Sequence, residues 1–267
     1  MEAETAPRRA GRVVLWRSMA FTVAMALHIC LTAVVSGPAV LLMSRRRALR
    51  IGKWWARSTL ALLGWMVGTR LEIRGRHNIP QGAAIVAVKH QSALETFALT
   101  PELPDPAFVL KRELTWIPFF GWFLKRLDMI ALNRAAGGEA LLQLIEQANR
   151  AVQAGRQIVI FPEGTRRPVG APAQYKSGVV HLYDRLNIPC VPVAINTGVF
   201  WPRRAARLRQ GVAVIEFLEP IAPGLGRAAF ERAMRERIET ASDALAAEAL
   251  GLAPPAPSQR TAAAQAR

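Results

Sequence analysis

Cysteine is scarce in this chain of 267 residues. Cys30 and Cys190 stand far apart and neither belongs to a Cys-x-x-Cys pair. A disulfide-stapled secreted scaffold is therefore excluded, and a reducing compartment fits best. His28, His77 and His181 have no partners at metal-ligand spacing, so no metal is expected. The absence of a Gly-x-Ser-x-Gly elbow leaves a serine acyl-enzyme unsupported. No Gly-x-x-x-x-Gly-Lys loop is present, which counts against a nucleotide-driven reaction. Gly224-x-Gly226-x-x-Ala229 follows the last expected strand with no further strand–helix–strand unit, so it reads as a turn before the final helix rather than a dinucleotide site.

Acidic residues are also few: 19 Asp and Glu stand against 35 Lys and Arg, a net charge of +16. Such an excess asks for an anionic partner, which is a nucleic acid, an anionic membrane surface or a charged substrate. Disorder of the whole chain is excluded, because 51% of the residues are hydrophobic. From Ser18 to Ser44 there is no Asp, Glu, Lys or Arg at all. That gap in charge favours the membrane and makes a nucleic-acid partner unexpected.

As a helix, Ser18 to Ser36 is roughly 28 Å long, near the thickness of a bilayer's hydrocarbon core. Gly37-Pro38 then interrupts the pattern, since proline lacks the amide hydrogen and disfavours helix just before it. A second apolar stretch, Ser58 to Thr69, is only about 18 Å long and too short to cross. Trp54, Trp55 and Trp65 suit a headgroup boundary. Both flanks of the first run are basic, through Arg8, Arg9, Arg12 and Arg17 before it and Arg45, Arg46, Arg47, Arg50 and Lys53 after it. Keeping both flanks on the cytoplasmic side favours a re-entrant or interfacial helical hairpin over a single span. A cleaved signal peptide is the third reading.

From Arg70 onward, short β-branched runs alternate with helical stretches, the pattern of an α/β domain. Strands are expected at Leu71–Arg74, Ala84–Lys89, Ala107–Lys111, Met129–Leu132, Gln157–Phe161, Val191–Asn196 and Val212–Leu218. Helices are expected at Ala93–Leu99, Ile117–Leu127, Glu139–Ala154, Ser177–Leu186 and Arg227–Leu250. The fold class is therefore α/β, a mixed sheet of about seven strands flanked by helices, with an N-terminal membrane-embedded helical segment. Residues 1–17 form a basic arm, 18–69 the membrane-associated segment and 70–250 the α/β body. The Pro/Ala-rich tail 251–267 is expected to be disordered.

Three stretches carry candidate chemistry. In Lys89-His90-Gln91-Ser92-Ala93-Leu94-Glu95, His90 in a turn and Glu95 in the first helical turn after it can meet, fixing the imidazole tautomer and freeing the other nitrogen as a base. The same letters also spell a capping box, Ser92-x-x-Glu95, which needs no catalysis. In Phe161-Pro162-Glu163-Gly164-Thr165-Arg166-Arg167, a strand enters a tight turn where Gly164 admits close backbone approach and Arg166 offers a planar fork for phosphate. Read by itself, this is equally an ordinary Pro/Gly turn with solvated arginines. Lys111 to Trp122, followed by Asn133-Arg134, sets cations beside an aromatic, proline-broken helix. A packed core helix with a snorkelling lysine explains that as well. Tyr175-Lys176-Ser177-Gly178 reads simply as a helix start, and Cys190 to Asn196 as a buried strand with an early proline.

In their order, H-x-x-x-x-acid, K-x-E-L…P-x-x-G-W, FPEGTR and VPVAI, these stretches resemble the glycerolipid acyltransferase family, especially its bacterial 1-acyl-glycerol-3-phosphate acyltransferases. The resemblance runs from about Leu71 to Glu219, and FPEGTR is its most specific part. It implies that residues 70–250 are an acyltransferase domain with His90 and Glu95 as the catalytic pair. It further implies that Lys111, Glu163, Gly164, Thr165 and Arg166 bind the acceptor's phosphate, and that Val191 and Pro192 line the acyl-donor side. Arg134 and Lys176 carry over more loosely. The family usually has Asp where this chain has Glu95, one methylene longer.

On this resemblance, His90 takes the proton of a glycerol hydroxyl as it attacks a thioester carbonyl, then protonates the leaving thiolate. The partners implied are lysophosphatidic acid, acyl-CoA or acyl-carrier protein as co-substrate, and a phospholipid membrane. No cofactor is implied, and the place implied is the cytoplasmic face of the inner membrane. Another lyso-lipid acceptor, such as lyso-ornithine lipid, is the alternative within the class. A non-catalytic basic protein binding lipid or nucleic acid is the alternative outside it.

Overall fold

The computed structural model describes residues 15–203 and 207–253. Arg8, Arg9, Arg12 and nearly all of the expected tail lie outside these residues. In chain order the elements are α1 (Leu15–Val40), α2 (Arg45–Val67), β1 (Thr69–Arg74), β2 (Ala84–Val88), α3 (Leu94–Glu102), β3 (Pro106–Lys111), α4 (Phe120–Arg126), β4 (Ile130–Leu132), α5 (Gly138–Gln153), β5 (Gln157–Ile160), α6 (Gly178–Leu186), β6 (Cys190–Ile195), α7 (Thr197–Phe200), β7 (Gly211–Phe217) and α8 (Arg227–Leu250).

The strands form one seven-stranded sheet in the order β1-β7-β6-β2-β5-β3-β4. Its centre is parallel: β2 pairs with both β5 and β6, and β3 with both β5 and β4. Direction reverses at β7, which runs antiparallel to β6 and parallel to β1. The mixed sheet flanked by helices is as the hydropathy pattern implies. Every residue of β2 and β5 is buried, as expected of strands covered on both faces.

The strand period of two assigns side chains to the layers. Ile85, Ala87, Ile158 and Ile160 join a core built with α5, α6 and α8, including Leu144, Leu182 and Phe230. Val86, Val88 and Val159 face the opposite side with Leu99 and Phe108. Five strand ends therefore open on one edge of the sheet, the C-terminal ends of β2, β3, β4, β5 and β6. That is where α/β sheets place their ligands.

The N-terminal segment departs from its expectation at one point. Gly37-Pro38 does not end the first helix, which runs through Pro38 to Val40. The proline leaves the Val34 carbonyl without its helical donor, but only two helical residues follow it, and Gly37 admits a close contact. A Cβ on Gly37 would stand 2.8 Å from Phe119 Cδ1. The second apolar stretch is the latter half of a longer helix, α2, that begins with Arg45-Arg46-Arg47 and ends on Gly68 in the left-handed conformation. Helices α1 and α2 pack together, with His28 Nε2 and Ser58 Oγ 2.7 Å apart between them. The first helix is otherwise anchored by the buried Phe21 against Trp201 and by Ser18, whose Oγ accepts the Leu208 amide.

Candidate active site

β2 ends at Val88, and the chain turns through His90 before α3 starts at Leu94. This puts His90 in the turn and Glu95 in the first turn of the helix, the arrangement their spacing requires. His90 Nδ1 lies 2.8 Å from Glu95 Oε1. The same oxygen accepts the backbone amides of Gln91 at 2.9 Å and Ser92 at 2.7 Å, while Ser92 Oγ accepts the Leu94 amide. One carboxylate thus accepts the Ser92 amide, the glutamate half of a capping box, and contacts the imidazole, while Ser92 Oγ takes the Leu94 amide and not that of Glu95. Glu95 is fully buried, and its second oxygen accepts the Thr197 hydroxyl at 2.7 Å.

The FPEGTR loop, leaving the neighbouring strand β5, cradles His90 from three sides. The Phe161 ring stacks on the imidazole, with centroids 3.9 Å apart and planes inclined by 20°. Glu163 Oε2 accepts the His90 amide at 2.7 Å, and the His90 carbonyl accepts the Arg167 amide at 2.8 Å. Gly164 has φ +64, where a side chain strains the backbone, and a Cβ there would press on the Lys176 stem at 3.1 Å. Arg134, from the end of β4, donates to the Gly164 carbonyl.

Beyond the loop lies a cavity of about 410 Å³ between α1, α2, α3 and α4. Its lining includes the His90 ring and the cations Lys111, Arg134 and Arg166, and its walls are mainly apolar, with Trp55, Phe97 and Phe123 among them. With Nδ1 committed to Glu95, the other ring nitrogen, Nε2, has no protein partner among the described residues. Neither has the Arg166 guanidinium.

The residues grouped by sequence thus separate. His90, Glu95, Lys111, Gly164, Arg166, Arg134 and Lys176 come together at the strand ends. Thr165 sits exposed on the turn. Glu163 points away from the cavity: its side chain is buried under His90, and its carboxylate faces Lys89 Nζ at 3.7 Å. A carboxylate placed there holds backbone, not phosphate. Burial pushes the Glu163 carboxyl above its ordinary range, opposed by the charge of Lys89 and the His90 amide. Val191 and Pro192 do not reach the cavity either. They are mid-strand residues of β6, buried within the sheet and paired with Val86 and Ala87.

Sequence reasoning missed the support beneath the site. Lys89, almost wholly buried, pairs with Glu239 of α8 at 2.5 Å, and Tyr175 donates to the same oxygen at 2.9 Å. Thr197 was also missed. The one signal for the cluster was a charged residue, Lys89, directly after a continuously apolar strand.

The sheet's parallel centre carries the strand-end imidazole, its acid and the adjoining cationic loop. Residues 70–196 match the family model described as Acyltransferase. Among similar proteins is the 1-acyl-sn-glycerol-3-phosphate acyltransferase of Pseudomonas aeruginosa. It is 40% identical over 149 residues, which are 56% of this chain and 58% of that protein. The human 1-acyl-sn-glycerol-3-phosphate acyltransferase alpha is 29% identical over 168 residues, 62% of this chain and 59% of that protein. The chain thus spans under two thirds of the length of these curated relatives. A solved structure, the 1-acyl-sn-glycerophosphate (LPA) acyltransferase from Thermotoga maritima, shares the fold with a TM-score of 0.73. Its sequence identity is 24%, covering 86% of this chain and 96% of that one.

Proposed function

We propose that this protein transfers a fatty acyl group from an acyl thioester to the sn-2 hydroxyl of lysophosphatidic acid, giving phosphatidic acid, at a membrane surface. The observation that carries the reading is the placing of an acid-paired imidazole and a free arginine, His90 and Arg166, on one otherwise mainly apolar cavity. An anionic head and a hydrocarbon chain in one molecule match those two chemistries. The names of the two 1-acyl-sn-glycerol-3-phosphate acyltransferases support the acceptor.

In this reading the neutral imidazole takes the hydroxyl proton through Nε2 as the oxygen attacks the thioester carbonyl. Glu95, on Nδ1, holds the ring in the tautomer that leaves Nε2 bare and stabilises the imidazolium that forms. The imidazolium then protonates the departing thiolate, so no covalent enzyme intermediate, metal or cofactor is required. Arg166, with Lys111 and Arg134 beside it, receives the phosphate. The thioester carrier, coenzyme A or acyl-carrier protein, is anionic and meets the same basic rim.

The membrane part of the proposal rests on α1. This helix is the one among the described residues long and apolar enough to cross a bilayer. It leaves Val23, Leu27, Leu31 and Val35 exposed, and Leu42 beyond it is 91% exposed. The arginines that open α2 suit the anionic cytoplasmic leaflet of the inner membrane.

The test is a product analysis. Purified protein in mixed micelles is given lysophosphatidic acid, lysophosphatidylethanolamine or lyso-ornithine lipid with either acyl-CoA or acyl-carrier protein, and products are identified by mass. Phosphatidic acid from wild type, lost in His90→Ala, is expected. Product from another acceptor alone overturns the choice of lysophosphatidic acid, and no acyl transfer under any condition overturns the enzyme.

A further inference from the structure

The acid that orients His90 is itself held from behind, by a residue beyond the matched domain. Thr197 opens α7, directly after β6, and is fully buried. Its hydroxyl donates to Glu95 Oε2 at 2.7 Å. The three other donors to this carboxylate, the His90 ring and the amides of Gln91 and Ser92, all fall on Oε1. Among the described residues, Oε1 thus has three donors and Oε2 has only the threonine hydroxyl.

The threonine does not move freely. Asn196, just before it, accepts the Val214 amide at 2.7 Å and donates to the Leu245 carbonyl at 3.1 Å. Gly198, just after it, donates its amide to Gln91 Oε1 at 3.1 Å, so the histidine loop and α7 are tied together twice. A Cβ on Gly198 would stand 2.8 Å from that of Gln91.

We infer that Thr197 is a positioning residue for the His90–Glu95 pair: its hydroxyl fixes the second carboxylate oxygen and so aims the first at Nδ1. Glutamate rather than aspartate is needed for this span, because a side chain shorter by about one carbon–carbon bond that kept its grip on the loop amides would leave Thr197 out of reach. Residues 95 and 197 therefore form a matched pair, and substituting either removes one shared interaction.

This inference rests on the acyl-transfer reading for its kinetic arm only. Thr197→Val keeps the shape and loses the donor, whereas Thr197→Ser keeps the donor. In detergent micelles, Thr197→Val is expected to lower kcat about tenfold with both KM values unchanged, and Thr197→Ser to stay within about twofold of wild type. Glu95→Asp is expected to lose kcat similarly, with no further loss on adding Thr197→Val. Independently of any reaction, nitrogen NMR of the His90 ring is expected to show the Nδ1–H tautomer in wild type and Thr197→Ser, and a mixture in Thr197→Val. Wild-type kcat and tautomer in Thr197→Val overturn the assignment, as does equal damage from serine and valine. If the wild type transfers no acyl group while Thr197→Val still shows the tautomer change, the function is overturned and the positioning upheld.

Discussion

Glu163 lies beneath His90, not beside the cavity, and its Oε2 receives the His90 backbone amide at 2.7 Å. The most recognisable acid of the FPEGTR loop is thus a support for the neighbouring strand end. Since the His90 carbonyl also accepts the Arg167 amide, the loop is bonded to the His90 backbone on both sides of the residue.

Removing that support separates two roles that share a motif. Glu163→Ala leaves a buried amide unpaired, a cost of about 1–3 kcal/mol, and is expected to lower kcat for acyl transfer while the acceptor KM stays near wild type. Arg166→Ala is expected to do the opposite, raising the acceptor KM about tenfold or more with a smaller effect on kcat. Steady-state kinetics over a range of lysophosphatidic acid concentrations checks both.

The protonation of Glu163 gives a stability prediction with a definite sign. Burial raises its folded-state pKa above the ordinary 4.5, so the folded protein holds this proton more tightly than the unfolded chain. Between the ordinary and the raised value, this group's contribution to stability falls as pH rises. Glu163→Gln removes that slope. Urea unfolding at a series of pH values above 4.5 is expected to show the variant gaining on wild type, and parallel curves would count against it.

Lys89 neutralises two carboxylates, Glu239 at 2.5 Å and Glu163 at 3.7 Å. Lys89→Met takes this cation away from two buried acids, and breaking a buried pair in this way costs about 3–5 kcal/mol. A large drop in the thermal midpoint is expected, whereas Lys111→Met, at an exposed pair with Glu113, is expected to leave the midpoint almost unchanged.

On α1, Leu31 is 65% and Val35 72% exposed. Each side chain is worth about 1.5–3 kcal/mol when transferred from water into an apolar phase. Replacing both with glutamate is expected to weaken partition into anionic phospholipid vesicles by about tenfold or more in flotation assays. The unfolding midpoint should hold, because neither residue supports the core.

Much of this architecture was legible in local pattern. The almost continuously apolar strands expected at Ala84–Lys89 and Gln157–Phe161 form, at Ala84–Val88 and Gln157–Ile160, the doubly covered centre of the sheet, and the His90–Glu95 spacing placed one residue in a turn and the other on a helix. Distant partners were not legible. Thr197 and Glu239 contribute through contacts more than a hundred residues away in sequence, and no local period encodes such a meeting. Gly37-Pro38 misled because the packing of α1 on Phe119 outweighed the local preference for a break. Glu163 misled for a related reason: its loop does face the cavity, but the tight turn at Gly164 directs this side chain inward.

The ion pair between Lys89 and Glu239 joins residues 150 positions apart. During synthesis the lysine emerges long before the acid that approaches it most closely, and the floor under His90 is complete only once α8 has docked. A nascent or prematurely terminated chain therefore carries every sequence motif while Lys89 has only Glu163 beside it.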